Sequence, residues 1–182
     1  MPGPVPRAAG DRHLANLVGL VSLDVMTRVA GAIEAATGLS MVQATALSAL
    51  ANYAEGGSVD QLRRAVGLSH SATVRLVDRL VERGLVQRRP AATDQRVAAV
   101  HMTASGQCTV GTIRTARLDV LQQWIARLSA EQREVLSAVL DDAAPGALGE
   151  APAGVVKADY LCRLCAPDAC GHPDRCPVTR AV

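Results

Sequence analysis

Residues 59–83 read VDQLRRAVGLSHSATVRLVDRLVER, and this stretch decides the fold. Ser58 with Gln61 is a capping box that opens a short helix, and the helix ends at Gly67. Leu62, Ala65 and Val66 form its inward side. Gly67-Leu68-Ser69 then makes a tight turn. A second helix spans Ser69–Arg83, with Gly84 as its stop. Val74, Val77, Leu80 and Val81 share one face of it. Ser69, His70, Ser71, Thr73, Arg75 and Arg79 share the other. Short helix, glycine turn and longer helix are the grammar of a helix-turn-helix. The DNA major groove, about 12 Å wide, accepts one α-helix. Small hydroxyl residues at a helix start permit close approach, and the helix N-terminal amides favour a phosphate. Arg75 and Arg79 lie one turn apart on the same face. A merely solvated face would also explain the charges, so the argument rests on the elements that follow.

Two strands come next, Leu85–Arg89 and Arg96–Met102, around a turn at Pro90–Asp94. Arg88, Arg89 and Arg96 flank the tip of this hairpin. An arginine placed there can enter a narrow minor groove, where the potential is most negative. Asp94 either orients Arg96 or caps the turn. Charge is distributed to match. Residues 60–103 carry eight basic and four acidic side chains, although the whole chain has a net charge of only +2. A basic block between neutral or acidic flanks is the footprint of a polyanion partner.

Further out, residues 14–37 form a long helix with Leu14, Leu17, Val18, Val21, Val25, Val29 and Ile33 on one stripe. Ser40 with Gln43 opens a helix through Tyr53. Thr103 begins a long helix through Leu128, and Ser129 with Gln132 opens another to Asp142. The chain is 49% hydrophobic yet has no Phe, one Trp and two Tyr. Its core is therefore aliphatic, as suits packed helices. The fold expected is mainly α with a small β-hairpin wing.

Several pieces in order resemble the MarR family of winged-helix transcriptional regulators. They are L-S-x-x-Q-A-T-A-L-S-A-L (Leu39–Leu50), Gln61-Leu62, S-x-S-x-x-V-x-x-V-D-R-L (Ser69–Leu80), E-R-G-L-V (Glu82–Val86), D-Q-R (Asp94–Arg96) and M-T-x-x-G (Met102–Gly106). The resemblance covers roughly residues 14–143. It implies a homodimer whose terminal helices, residues 14–37 and 104–143, interlock. It also implies a palindromic double-stranded DNA operator, read by the helix from Ser69 with Arg96 at the wing tip. Half-sites would lie about one helical turn apart. Small phenolic or lipophilic effectors are often bound in this family. The few aromatics here nominate no effector site.

Residues 144–157 read as a Pro/Gly/Ala-rich linker to a tail, 158–182. Within the tail Cys162, Cys165, Cys170 and Cys176 are spaced C-x2-C-x4-C-x5-C, and Pro177 follows. Four thiolates suit tetrahedral zinc or an iron–sulfur cluster. His172 is a substitute ligand. A segment so short cannot build its own core and needs metal or contacts with the body to be ordered. The closing C-x5-C-P is similar to the [2Fe–2S] loop of redox-sensing MerR-class regulators, C-x2-C-x-C-x5-C-P. The middle spacing differs, so structural zinc remains the alternative. On this reading the centre modulates DNA affinity. A further alternative is a small redox or electron-transfer protein on a winged-helix scaffold.

Other expectations complete the picture. No uncharged run of about 18 apolar residues is present, which speaks against a membrane span. Residues 1–13 read as a disordered arm without a secretory h-region, so the expected compartment is the cytoplasm. Cys108 reads as a small buried apolar residue. No Ser-His-Asp set, P-loop or dinucleotide glycine motif appears, so an enzyme is not expected.

Overall fold

The computed structural model describes residues 7–90, 98–144, 162–171, 174 and 176. Helix α1 spans Arg7–Thr37 and α2 spans Met41–Ala49, which runs on into a π-helical turn at Leu50–Ala54. Strand β1 is Gly57–Ser58, α3 is Val59–Val66 and α4 is His70–Glu82. Strands β2 (Val86–Pro90) and β3 (Ala98–Met102) follow, then α5 (Ala104–Ile125) and α6 (Ala130–Ala143). A one-turn helix in the tail, α7, is Pro167–Cys170.

All three capping boxes form. Ser40, Ser58 and Ser129 each accept from the backbone N–H of the glutamine three residues on, and each glutamine side chain returns a bond to the cap. Helix α3 closes on Gly67 in the left-handed conformation, φ +70°, a region that disfavours residues carrying a Cβ. The core is aliphatic. Ile33, Leu39, Leu47, Leu50, Leu62, Val77, Leu80, Val100 and Ile113 are fully buried in one cluster.

The wing differs from a simple hairpin. Its sheet has three antiparallel strands in the order β1-β3-β2. Strand β1 pairs Gly57 with Val100 and Ser58 with Ala99. Two residues are too few to show alternation, so β1 has no readable signal in the sequence. Glu55 fastens this side of the sheet, because its carboxylate accepts from Met102 N–H and contacts His101 Nδ1, each at 3.2 Å.

Helix α1 corrects two expectations. It begins at Arg7, so Arg7–His13 are helical where an arm was expected. By length and composition, Asp11–Thr37 also suffices to cross a membrane. Its C-terminal part packs on the body, while most of the helix is exposed. Val29 and Ile33 enter the core, α1 lies along α5, and Asp24 pairs with Arg28 at 2.9 Å. The stripe splits along its length. Leu14, Leu17 and Val18 at its N-terminal end are exposed, as are Leu20, Leu23 and Met26 beside them.

Helix α5 starts against the wing. Thr103 caps it by accepting from Gly106 N–H at 3.0 Å, while its hydroxyl lies 2.7 Å from the Gly84 carbonyl oxygen, to which it donates. Thr103 N–H donates to Leu85 O at 3.1 Å. Gly106 sits so close that an added Cβ would overlap the Leu85 carbonyl. Gly106→Ala should therefore cost about 3 kcal/mol. Gly111→Ala, on the same helix in open space, should be neutral or stabilise by up to about 1 kcal/mol. Chemical denaturation of the two variants checks the contrast.

Candidate nucleic-acid interface

Helix α4 presents the face expected of a reading helix. Ser69 is its N-cap and accepts from Ala72 N–H at 3.3 Å. Ser69, His70, Ser71, Arg75 and Arg79 are all exposed. The buried face is Thr73, Leu76, Val77 and Leu80. Two assignments on this helix are thereby corrected. Val81 is exposed. Thr73 is fully buried, and its hydroxyl donates to the Ser69 carbonyl at 2.9 Å. This back-bond explains why a polar residue lies inward: it satisfies the hydroxyl within the helix. Thr73 is thus a structural residue beneath the reading face.

Arg88 and Arg89 are exposed on β2, opposite Val100 and Ala99 of β3. Arg88 bonds to the Asp78 carboxylate of α4, which ties the wing to the reading helix. Asp94 and Arg96 lie outside the described residues. On α3, the Arg63 side chain donates to Asp60 at 2.7 Å and Arg64 does so at 2.9 Å. The Arg63 hydrogen bond and the two guanidinium charges hold the Asp60 carboxyl below its usual range. These two arginines are therefore internally paired.

Sequence reasoning missed Arg83. Its guanidinium donates to Gly38 O at 2.7 Å and to Thr37 O at 3.0 Å. Those carbonyls end α1 and lack helical partners. Gly38 in the left-handed conformation, φ +64°, turns the chain there. The end of α4 is so pinned to the end of α1. The one available signal was a glycine stop that leaves free carbonyls, and it names no partner.

The tail docks on the body. Leu164 packs against the core, Ala166 and Cys176 are buried, and Cys162, Cys165 and Cys170 are half-buried. All four are free of disulfides. The Cys162 and Cys165 thiols share a hydrogen bond. It lowers the Cys165 pKa to about 6, with Arg117 of α5 adding its charge against the effect of burial. Cys162 is pushed up by the same bond, then by burial and by the charges of Cys165, Cys176 and Cys170. The residues fit a thiolate-bound group in donor type. Among the described residues, however, no three ligands are arranged to hold a metal ion. His172 lies outside the described residues. Cys108, expected to be buried, is exposed on α5.

Comparison with known proteins agrees with this architecture. Residues 37–97 match the model of the MarR family. The chain is 29% identical over 122 residues to YdgJ, an uncharacterised HTH-type transcriptional regulator of Bacillus subtilis, covering 66% of this chain and 74% of YdgJ. Its fold is similar to that of RV1404 from Mycobacterium tuberculosis, with a TM-score of 0.69 and 23% identity over 82% of this chain and 100% of the other. It is also similar to a MepR mutant of S. aureus solved with an oligodeoxyribonucleotide, with a TM-score of 0.58 and 19% identity over 73% of this chain and 96% of the other. The structure is thus a winged helix with a three-stranded wing. Its residues 37–97 thus match the MarR family, and the fold around them is similar to that of these solved structures.

The burial of Thr73 gives a direct check. Thr73→Val keeps the shape, so operator affinity should stay within about twofold, less than 0.5 kcal/mol. A base-reading threonine would lose about 1–3 kcal/mol. Fluorescence anisotropy with labelled duplex separates the two.

Proposed function

We propose that this chain acts as a homodimer on a palindromic operator, with α4 of each protomer in a major groove. The observation that carries this is the sorting of α4. Its polar and basic residues Ser69, His70, Ser71, Arg75 and Arg79 are exposed together, while its apolar face is sealed into the core. Arg88 and Arg89 extend the basic surface along the wing. Arg96 is assigned the wing tip and Asp94 its orientation on the sequence pattern alone. The oligodeoxyribonucleotide bound to the related MepR mutant supports the nucleic-acid reading. Arg79→Ala should weaken binding and flatten the dependence of log affinity on log salt. If Arg79 meets a phosphate, the slope falls by about one unit and all sequences weaken alike. If it reads a base, specificity relaxes at one position instead. Binding that ignores Arg79 would move the interface elsewhere.

The apolar surfaces supply the argument for a dimer. Leu20 and Leu23 on α1 are 66% and 71% exposed, and Val135, Val139 and Leu140 on α6 are also exposed. Trp124, Leu128, Val135, Leu136 and Val139 line a groove between α5 and α6. Helices with such faces need a partner. In this reading a second copy covers them and sets the spacing of the two reading helices. Leu23→Asp should convert the dimer to monomer by light scattering and lower operator affinity with it.

The finer part of the proposal concerns the tail. Cys162, Cys165, Cys170 and Cys176 would hold zinc or an iron–sulfur cluster, and the bound state would modulate DNA affinity. Zinc would supply a fixed cross-link between the thiolates, whereas a cluster would add a redox couple. The C-x2-C-x4-C-x5-C spacing and the docking of Cys162 and Cys165 on the body support this reading. Metal and acid-labile sulfide analysis of protein purified without oxygen tests it. A metal-free protein would sink it.

A further inference from the structure

Asn52 lies in the π-helical turn Leu50–Ala54, where α2 runs toward the wing. Its side-chain amide donates to the backbone carbonyls of both Cys162 and Cys165, each at 3.3 Å. Its carbonyl oxygen accepts from Arg114 Nη2 of α5 at 2.7 Å. Both N–H groups of the amide are thus used. Arg114 fixes which end is the donor, and the two N–H groups go to the two cysteine carbonyls. Beside this relay, Leu164 packs on the core and the Arg117 charge acts on Cys165. Arg114 and Arg117 lie one turn apart, three residues on the same helix.

We propose that Asn52, oriented by Arg114, is the positioning residue that clamps the C-x2-C knuckle of the tail to the body. Through it the state of the cysteines reaches both the reading lobe and the dimerisation helix. The geometry is selective. The bonds go to the two carbonyls of Cys162 and Cys165, the residues whose side chains form the first ligand pair. They leave the sulfurs free for a metal. Any change that turns the Cys162–Cys165 backbone must therefore break or shift bonds to Asn52. Asn52 is joined to α5 by Arg114, and α5 starts on the wing. π-Helical turns are common where a helix serves a functional contact. The signalling half of this inference rests on the cysteine centre proposed above. The clamp itself does not.

Asn52→Asp tests it at nearly constant volume. The carboxylate keeps the Arg114 partner but donates nothing, and it faces two carbonyl oxygens. Arg114→Met is the second variant, which leaves the amide but removes its orientation. Reduced, metal-free full-length protein is treated with iodoacetamide, and each cysteine is followed by mass spectrometry. Cys108, exposed on α5, is the internal reference, and the thermal midpoint reports the fold. Labelling of Cys162 and Cys165 relative to Cys108 should rise about tenfold in Asn52→Asp, equivalent to about 1.4 kcal/mol. A smaller rise is expected in Arg114→Met. Unchanged labelling in both variants overturns the clamp. Operator affinity is then measured with and without zinc ion alone. Wild-type affinity should shift about tenfold, and Asn52→Asp should bind zinc yet lose the shift. An undiminished shift in Asn52→Asp overturns the signalling role. A wild-type protein indifferent to zinc, with labelling still raised in the variant, supports the clamp and removes zinc as the signal.

Discussion

The contact on which the rest of the structure depends is the seat of α5 on the Leu85 carbonyl. Leu85 N–H donates back to Leu80 at the end of α4, and Leu85 O accepts from Thr103 at the start of α5. Helix α4, the wing and α5 therefore meet on one residue. Thr103 completes the joint by bonding Gly84 O and capping α5 at once. Gly106 has no Cβ, and that absence lets the helix come down on the strand. The M-T-x-x-G pattern is thus a mechanical hinge pin. Its threonine satisfies polar groups on both sides, and its glycine sets the distance.

A second joint closes the loop from the other side. Arg83 at the end of α4 holds the last carbonyls of α1. Helix α1 in turn runs against α5. The reading helix is fixed at one end to both long helices, so a shift between those helices must turn α4 or break these bonds. Interiors packed to this density transmit displacement rather than absorb it. In the proposed dimer, the packing of α1 on α5 and the presentation of Arg75 and Arg79 are consequently coupled.

The features legible in the sequence were those written in local chemistry. Three Ser-x-x-Gln caps mark three helix starts, and each forms as written. The helix-turn-helix and the strands β2 and β3 follow from glycine stops and alternation. What stayed hidden depends on distant partners. Thr73 matches its exposed neighbours in polarity, and only the back-bond to Ser69 allows it inside. The partner of Arg83 is far away in sequence. The two residues of β1 carry no period. The exposed half of the α1 stripe looked like core because periodicity marks an apolar face without naming what covers it. Asp94 and Arg96 lie outside the described residues, so their roles still rest on the sequence pattern.

The tail illustrates how a segment without a core can still carry information. Its order comes from a few borrowed contacts: Leu164 against the body and one asparagine amide on two carbonyls. Elements with few buried contacts lie at the low-stability end of a fold. Small changes then move their population strongly, since each 1.4 kcal/mol is a factor of about ten. The body it touches is the opposite, a fully buried aliphatic cluster around Leu47, Leu50 and Ile113. A weak element docked on a stiff one is a suitable arrangement for a switch. In the reading proposed above, the weak side would respond to chemistry at the thiols and the stiff side would carry the response to α5 and the wing. Asn52 is placed where the two meet, and its amide has no spare donor with which to accommodate a change.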